Sequence, residues 1–519
     1  MESWPVETHE DSTRLFQGSP HFRPRRCIFE LEGEAAELEL CQALSRLRGR
    51  RSPVLLDSAG GSPSDFSLLA FDPIRTPGPG TLEELRAFLG SFGVGADSDP
   101  LPPGCQAFGG GFVGALSYDL GVEGEALDLP RDPWALPVIA GGLYCDYLLR
   151  DEIRGRTWLV LGEAPGDGRP TVEVRFSELT SALAQSFGVT RVQPLGDLRR
   201  RVSADQHQSR IEEIRRRIEL GELYQANLAH PFERDMEGDP VDIYLALRAA
   251  SPTPYGGFLR QDSDRGRASF ALLSCSPELL LEVRPAAAPS ATRARTRPIK
   301  GTAKRAADAG EDELAGRALL ASAKDRAELA MIVDLERNDL GAVARPGGVH
   351  VGEFPQLESH PAVHHLVADV RASLRPGVSA VDALAALFPG GSITGAPKLR
   401  SMEIIAELEE EGRGFAFGSL GCIDAAGAAT MNLLIRTLIW RPLPEEHPAW
   451  DPTGSPPRGE VLLRVGGGIT WGSDKVLEDE ETLVKACVLL AVLEGGDSGG
   501  KASSDGGRAV ASGEGCGPD

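Results

Sequence analysis

The sequence predicts a mixed α/β protein built on large sheets. Three observations carry this expectation. Strand-like and helix-like runs alternate along the whole chain. No short internal repeat divides it into copies. With 519 residues and 41% hydrophobic content, it can bury a large core, as one extended domain or a few. A charged fraction of 25% is ordinary for a soluble globular protein.

Taken in order, residues 1–25 are polar and read as a loose segment. Residues 26–195 form an N-terminal region, with a surface turn at "RTPGPGT" (75–81). A second region spans 200–494. In its first element Ile211, Ile214 and Ile218 mark one helical face, which stops at Gly221 before the strand-like "LYQANL". "PELLLEV" is an apolar strand candidate followed by a Pro-rich stretch, "RPAAAPSATRART" (284–296). "DELAGRALLASAKDRAELAMIVDLERNDLG" reads as helices ending near Gly341. "PKLRSMEIIAELEEEG" follows a proline and reads as a helix ending at Gly412. "MNLLIRTLIW" and "EVLLRVGGGI" flank the stretch 441–460, which reads as an enlarged hairpin loop. From Gly495 the tail has almost no large apolar residue and reads as disordered over 495–519.

Composition narrows the function. A formal net charge of −22 disfavours nucleic acid and anionic membranes as partners. It leaves room for an anionic small molecule in a locally basic or metal-bearing pocket. The eight cysteines are scattered without a C-x-x-C pair and read as free thiols in a reducing compartment. With no apolar run of membrane-span length and no signal-peptide core at the start, a cytoplasmic protein is expected.

Four constellations carry chemistry. Asp325 and Glu328 are three apart on one helix face, at the edge of the apolar run "LAMIVDL". Glu478 and Glu481 repeat that spacing at the start of another apolar helix. Each pair alone reads as solvated charge or a favourable helix start. Together they could supply the oxygen ligands magnesium takes. Two glycine-rich turns, "FPGGSITGAPKLR" and "RVGGGIT", could cradle a carboxylate on backbone N–H groups. Neither has the spacing of a Walker A loop or a dinucleotide fingerprint, and each alone reads as a tight turn. Lys300 in "RPIKGTAKR" is either an edge charge or, if buried, an amine of lowered pKa, with Glu278 upstream as an acid or base.

The ordered set "PIKGT", "RAELAMIVDLERNDLG", "AVHHLVADV", "FPGGSITGAPKLRSMEII", "IRT", "GGGI" and "EETLVKA" resembles the chorismate-utilising enzymes. Within them it resembles component I of the aminodeoxychorismate synthases, which serve para-aminobenzoate and folate synthesis. The likeness is strong over about residues 200–490. It is weaker in the N-terminal region, through "LLDSAGG" and "GGGFVGALSYDLG", which resembles the N-terminal part of anthranilate synthase component I. The resemblance implies an α+β fold of two intertwined subdomains, with facing β-sheets at the core, helices outside and the site in a cleft.

Residue by residue, Glu328 and Glu481 match magnesium-holding positions, with Glu478 and Asp325 in support. Asp325 stands where some relatives carry glutamate. His365, Thr394 and Arg436 match pocket residues, and Gly466, Gly467 and Gly468 would offer backbone N–H groups to a substrate carboxylate. Lys300 matches the nucleophile of the para-aminobenzoate branch, where anthranilate synthases carry alanine, and Glu278 matches its acid/base. Asn227 in "YQANL" also resembles that branch. Ser58, Phe66, Ser67, Leu68, Leu69, Pro254, Tyr255 and Gly256 resemble a tryptophan pocket that is inhibitory, structural or degenerate in different relatives. None of the cysteines lies in G-x-C-x-G, the setting of a glutaminase nucleophile. A separate glutaminase subunit is therefore implied. The rival readings are anthranilate synthase component I, an isochorismate or salicylate synthase, and a non-catalytic chorismate- or tryptophan-binding paralogue.

Overall fold

The computed structural model describes residues 22–495, apart from 60–65, 79, 103–107, 124, 126, 165–166, 186–187, 189–190, 264–267, 286–291, 361–362 and 444–455. The expected loose start, the tail beyond 495 and most of the 441–460 loop lie outside these residues.

Among the described residues, antiparallel strands form one 12-stranded sheet, one 8-stranded sheet and one 3-stranded sheet. The large sheet takes strands from both halves of the chain. Val54–Asp57 of the N-terminal region pairs with Gly256–Asp262 of the second. The 8-stranded sheet does the same, through Gly111–Leu116 against Ser419–Asp424. The two regions read from the sequence are thus interwoven, as the resemblance implies.

Strand alternation explains the layers. Val54 and Leu68 point into a core shared with Phe112, Leu116 and Leu281 of the 8-stranded sheet. Their neighbours Leu55 and Leu69 point the other way, against Leu44, Leu179, Leu247 and Leu489 of the outer helices. Each such fully buried leucine contributes about 1.5–3 kcal/mol, so a one-residue slip would cost both cores at once.

Two turns of sequence position the site. Arg293–Arg297 runs in the 8-stranded sheet. Pro298, which has no N–H for a ladder, separates it from Ile299–Lys304, which pairs instead with Val363–Val367 in the 3-stranded sheet. The hairpin expected around 441–460 is present: Thr437–Pro442 pairs with the first part of Arg458–Thr470. Its longer strand continues past Leu463 against Gln225–Glu237, its one ladder partner there among the described residues.

The helices Ala204–Glu219, Ala309–Ala321 and Ala323–Gly341 match expectation. The helix expected to reach Gly412 instead spans Lys398–Glu409 and ends on Glu410 in a left-handed conformation, φ 63°. Gly412 serves close packing rather than capping: a Cβ there would stand 2.4 Å from Asp132 N.

Candidate active site

Four segments far apart in sequence meet at Lys300. Its strand is covered by the helix Ala323–Gly341, whose Ser322 cap accepts from Asp325 N. Lys300 Nζ lies 3.7 Å from Glu328 Oε2, with only 15% of the lysine side chain exposed. Burial and the charge of Lys485 push its pKa down, while Glu328, Glu278 and Glu481 oppose that. Below the amine runs the glycine strand. A Cβ on Gly468 would stand 2.8 Å from Lys300 Nζ and 3.2 Å from Gln225 Nε2. On Gly466 it would meet Leu228 O at 2.6 Å and Asn227 Oδ1 at 3.0 Å. Gly467 is roomier, with Glu478 Oε2 and Lys485 Nζ both at 3.7 Å. A side chain at 468 would crowd the amine, and one at 466 would collide with the neighbouring strand. Among the described residues this strand has one ladder neighbour past Leu463, so alternate backbone groups of the glycine run have no ladder partner there on the other side.

Glu278 is buried, with 3% exposure. Ser392 Oγ donates to its Oε1 at 2.7 Å, which links it to the 388–400 turn. Burial raises its pKa to about 7, against the pull of Ser392, Lys300, the Ile299 N–H and Arg436. It is an acid poised near neutrality.

The second carboxylate group gathers beside the amine. Glu328 and Glu478 are bridged by Lys324, with Nζ 3.9 Å from Glu328 Oε1 and 3.4 Å from Glu478 Oε1. Glu478 also accepts from Ser473 Oγ at 2.7 Å. Glu481 pairs with Lys485 at 2.7 Å. Burial raises the pKa of Glu328, and its Oε1 is buried without a hydrogen-bond donor. Glu328, Glu478 and Glu481 are all oxygen donors, the ligand chemistry of a hard dication such as magnesium, and Glu328 keeps an unsatisfied buried oxygen. Here Lys324 and Lys485 lie on these carboxylates, and the three do not close to mutual ligand spacing. Asp325 is set back from them. Its carboxylate takes the Ser322 hydroxyl and packs beneath Gly301. A different buried group, His207, His230 and Asp479, offers two nitrogens. Its carboxylate is already engaged by Arg200 and His207, so it suits magnesium poorly.

The remaining expected residues surround this centre. His365 is buried and its Nδ1 meets Thr302 Oγ1 at 3.0 Å. Burial and Arg436 push its pKa to about 3, so its imidazole is neutral. Arg436 sits at φ 50° just before Thr437–Pro442. Burial lowers its pKa, and among the described residues its guanidinium has no ion pair, which leaves it for an anion. Thr394 is fully buried and donates to Gly390 O at 2.9 Å.

Away from this centre, a cavity of about 390 Å³ lies between the sheets. It is lined by Ser58, Phe66, Leu68, Pro254, Tyr255 and Gly256 of the expected tryptophan pocket. Ser67 and Leu69 do not line it. They alternate onto the opposite face, where Leu69 joins the helix-side core and Ser67 Oγ accepts from Ser58 N.

Sequence reasoning missed Gln225, Ser392 and Glu336. Gln225 shares a strand face with Asn227, and both carry a buried side-chain oxygen without a donor. The i, i+2 spacing in "YQANL" was the available signal.

The profile of the chorismate binding enzymes matches residues 81–491. The chain belongs to the chorismate-binding enzyme family. It is 37% identical to aminodeoxychorismate synthase component 1 of Klebsiella aerogenes over 76% of this chain and 80% of that one. It is 33% identical to anthranilate synthase component 1 of Mycolicibacterium smegmatis over 79% and 76%. Among solved structures, anthranilate synthase component I from Streptococcus pneumoniae superposes with TM-score 0.64 at 26% identity, covering 82% of this chain and 92% of that one. The menaquinone-specific isochorismate synthase from Escherichia coli shares the fold, with TM-score 0.67 at 18% identity over 91% and 95%. The two activities among the sequence relatives leave the product to the chemistry of the site.

Proposed function

We propose that the chain is component I of an aminodeoxychorismate synthase. It converts chorismate and ammonia to 4-amino-4-deoxychorismate, with the ammonia released from glutamine by a separate glutaminase subunit. The observation that carries this reading is the Lys300 amine. It is largely buried, held over Gly468 and 3.7 Å from Glu328 Oε2. An edge lysine would point to solvent.

Lys300, as free amine, attacks ring carbon 2. The ring double bonds shift, and the carbon-4 hydroxyl leaves with the proton of Glu278 as water. Ammonia then adds at carbon 4, the double bonds shift back and the bond to Lys300 breaks. The amine nitrogen gives up the proton that restores Glu278. Arg436, which has no ion pair among the described residues, faces a substrate carboxylate. Neutral His365 can donate or accept a hydrogen bond but brings no charge. Gly468 keeps the space beneath the amine open. Glu328 and Glu481 would hold magnesium, with Glu478 beside them and Asp325 behind. When bound, that ion offsets the charge of a substrate carboxylate. The 390 Å³ cavity is the place for a tryptophan in this reading, and calorimetry with tryptophan tests it.

The test is the product formed from chorismate, magnesium and ammonium salts. The reading expects 4-amino-4-deoxychorismate, which yields para-aminobenzoate only when a lyase is added. Anthranilate fluorescence without a lyase would overturn it, in favour of the activity named for the mycobacterial relative. Product formed without ammonia would point to an isochorismate or salicylate synthase.

A further inference from the structure

Behind Glu278 lies a second buried acid that the mechanism above does not use. Glu336 is on the helix that carries Glu328, eight residues on, just over two turns and about 12 Å further along its axis. It is 1% exposed. The two segments that hold Glu278 also hold Glu336. In the 388–400 turn, Ser392 donates to Glu278 Oε1 at 2.7 Å. The Cβ position of the preceding Gly391 is 3.5 Å from Glu336 Cγ. On the other side, the Ile299 N–H bonds the Glu278 carboxyl, and Thr296 Oγ1, three residues earlier, donates to Glu336 Oε2 at 2.9 Å. The two carboxyls are therefore walled by the same turn and by the 296–299 segment, where the chain passes from one strand to the next at Pro298.

We propose that Glu336 is a positioning residue for the acid: a buried partner carboxyl whose titration is coupled to that of Glu278 and sets the pH range over which Glu278 can donate a proton. This rests on the reading of Glu278 as the acid that releases the carbon-4 hydroxyl. Two carboxyls confined together do not ionise together. Lys300 and Arg436 face Glu278 and favour its charged form. Glu336 faces Glu278 and the Lys398–Asp339 pair, in which Nζ is 2.7 Å from Oδ2. Burial and the Glu278 charge raise the Glu336 pKa to about 8, against about 7 for Glu278. The pair thus loses its protons in two coupled steps, the upper one above neutrality. In turnover Glu278 passes its proton to the departing hydroxyl, giving water. The remaining proton stays in the pair until the new C–N bond makes its nitrogen acidic and the pair is refilled.

Two measurements on the full chain test this. Infrared spectroscopy of the protonated carboxyl C=O stretch, followed against pH without substrate, reads the pair directly. The wild type should lose this signal in two steps above the ordinary glutamate range. Glu336→Gln should leave one, below the wild type's upper step. The alkaline limb of kcat/KM should follow the infrared steps and move down in Glu336→Gln, with KM little changed. Thr296→Val removes a hydroxyl that favours the charged form, so it should move both readouts upward. It also serves if the first variant does not fold. Infrared steps and an alkaline limb that stay at wild-type positions in these variants would overturn the proposal. If instead the infrared steps couple as described but Glu278→Gln keeps the wild-type rate, the pair stands and the reading of Glu278 as the acid fails.

Discussion

Replacing Gly468 by alanine tests the placement of the reacting amine. Gly468 does not use a left-handed φ, so alanine can take its backbone conformation without strain. The added Cβ would sit 2.8 Å from Lys300 Nζ, where ordinary contacts begin at 3.4 Å. Both neighbours are ends of flexible side chains, so the fold should survive. The amine, however, must retreat by about 0.6 Å. A 1 Å misplacement of a reacting group can cost about 10²-fold, so kcat should fall roughly ten- to a hundredfold, or about 1.4–2.7 kcal/mol of barrier. Gly467→Ala is the control, since its Cβ meets its nearest groups at an ordinary 3.7 Å. The assay is the initial rate with ammonium salts and a coupling lyase, alongside Tm and KM for chorismate. A Gly468→Ala enzyme with wild-type kcat and unchanged Tm would refute the idea that this amine must occupy this position.

Three further outcomes are expected. Glu278→Gln should lose about 10²–10⁴-fold in kcat; at constant free ammonia the wild-type rate should fall above about pH 7, as Glu278 ionises. Magnesium should raise the Tm of the wild type, and Glu328→Gln or Glu481→Gln should abolish that shift, while Asp325→Asn, set back under Gly301, should reduce it less; a full shift in Glu328→Gln would refute the assignment. Stability should also depend on pH. Glu278 and Glu336 hold protons in the folded chain to about pH 7 and 8, where the unfolded chain has released them above the ordinary 4.5. The folded state therefore loses stability as pH rises through that window. Glu336→Gln should flatten the decline in Tm, and an equally steep decline in that variant would contradict the buried-acid account.

Much of this was legible in the sequence because the motifs are local. "PIKGT", "GGGI" and "EETLVKA" each name their chemistry within a few residues. What was not legible is long-range. The burial of Lys300 depends on Pro298 diverting its strand into a separate sheet under the helix Ala323–Gly341. The setting of Glu278 depends on Ser392, 114 residues away, a contact no periodicity reports. Glu336 reads in sequence as one more charge in "DLERND". Only the packing of its helix face turns it inward. Ser67 and Leu69 fall outside the cavity for a local reason: a strand offers only alternate residues to one side, which a contiguous stretch of sequence does not display. The end of the 398–409 helix was misread because Gly412 looks like a cap, while its lack of a side chain accommodates the backbone at 130–132.

The central claim is a covalent bond between Lys300 and the substrate ring. Intact-protein mass spectrometry with peptide mapping, after incubation with chorismate and magnesium but no ammonia, tests it most directly. The account predicts a substrate-derived mass on the peptide bearing Lys300, absent from Lys300→Ala. An enzyme that is active when ammonia is supplied, yet carries no adduct at Lys300 in its absence and keeps its 4-amino product in Lys300→Ala, would contradict it.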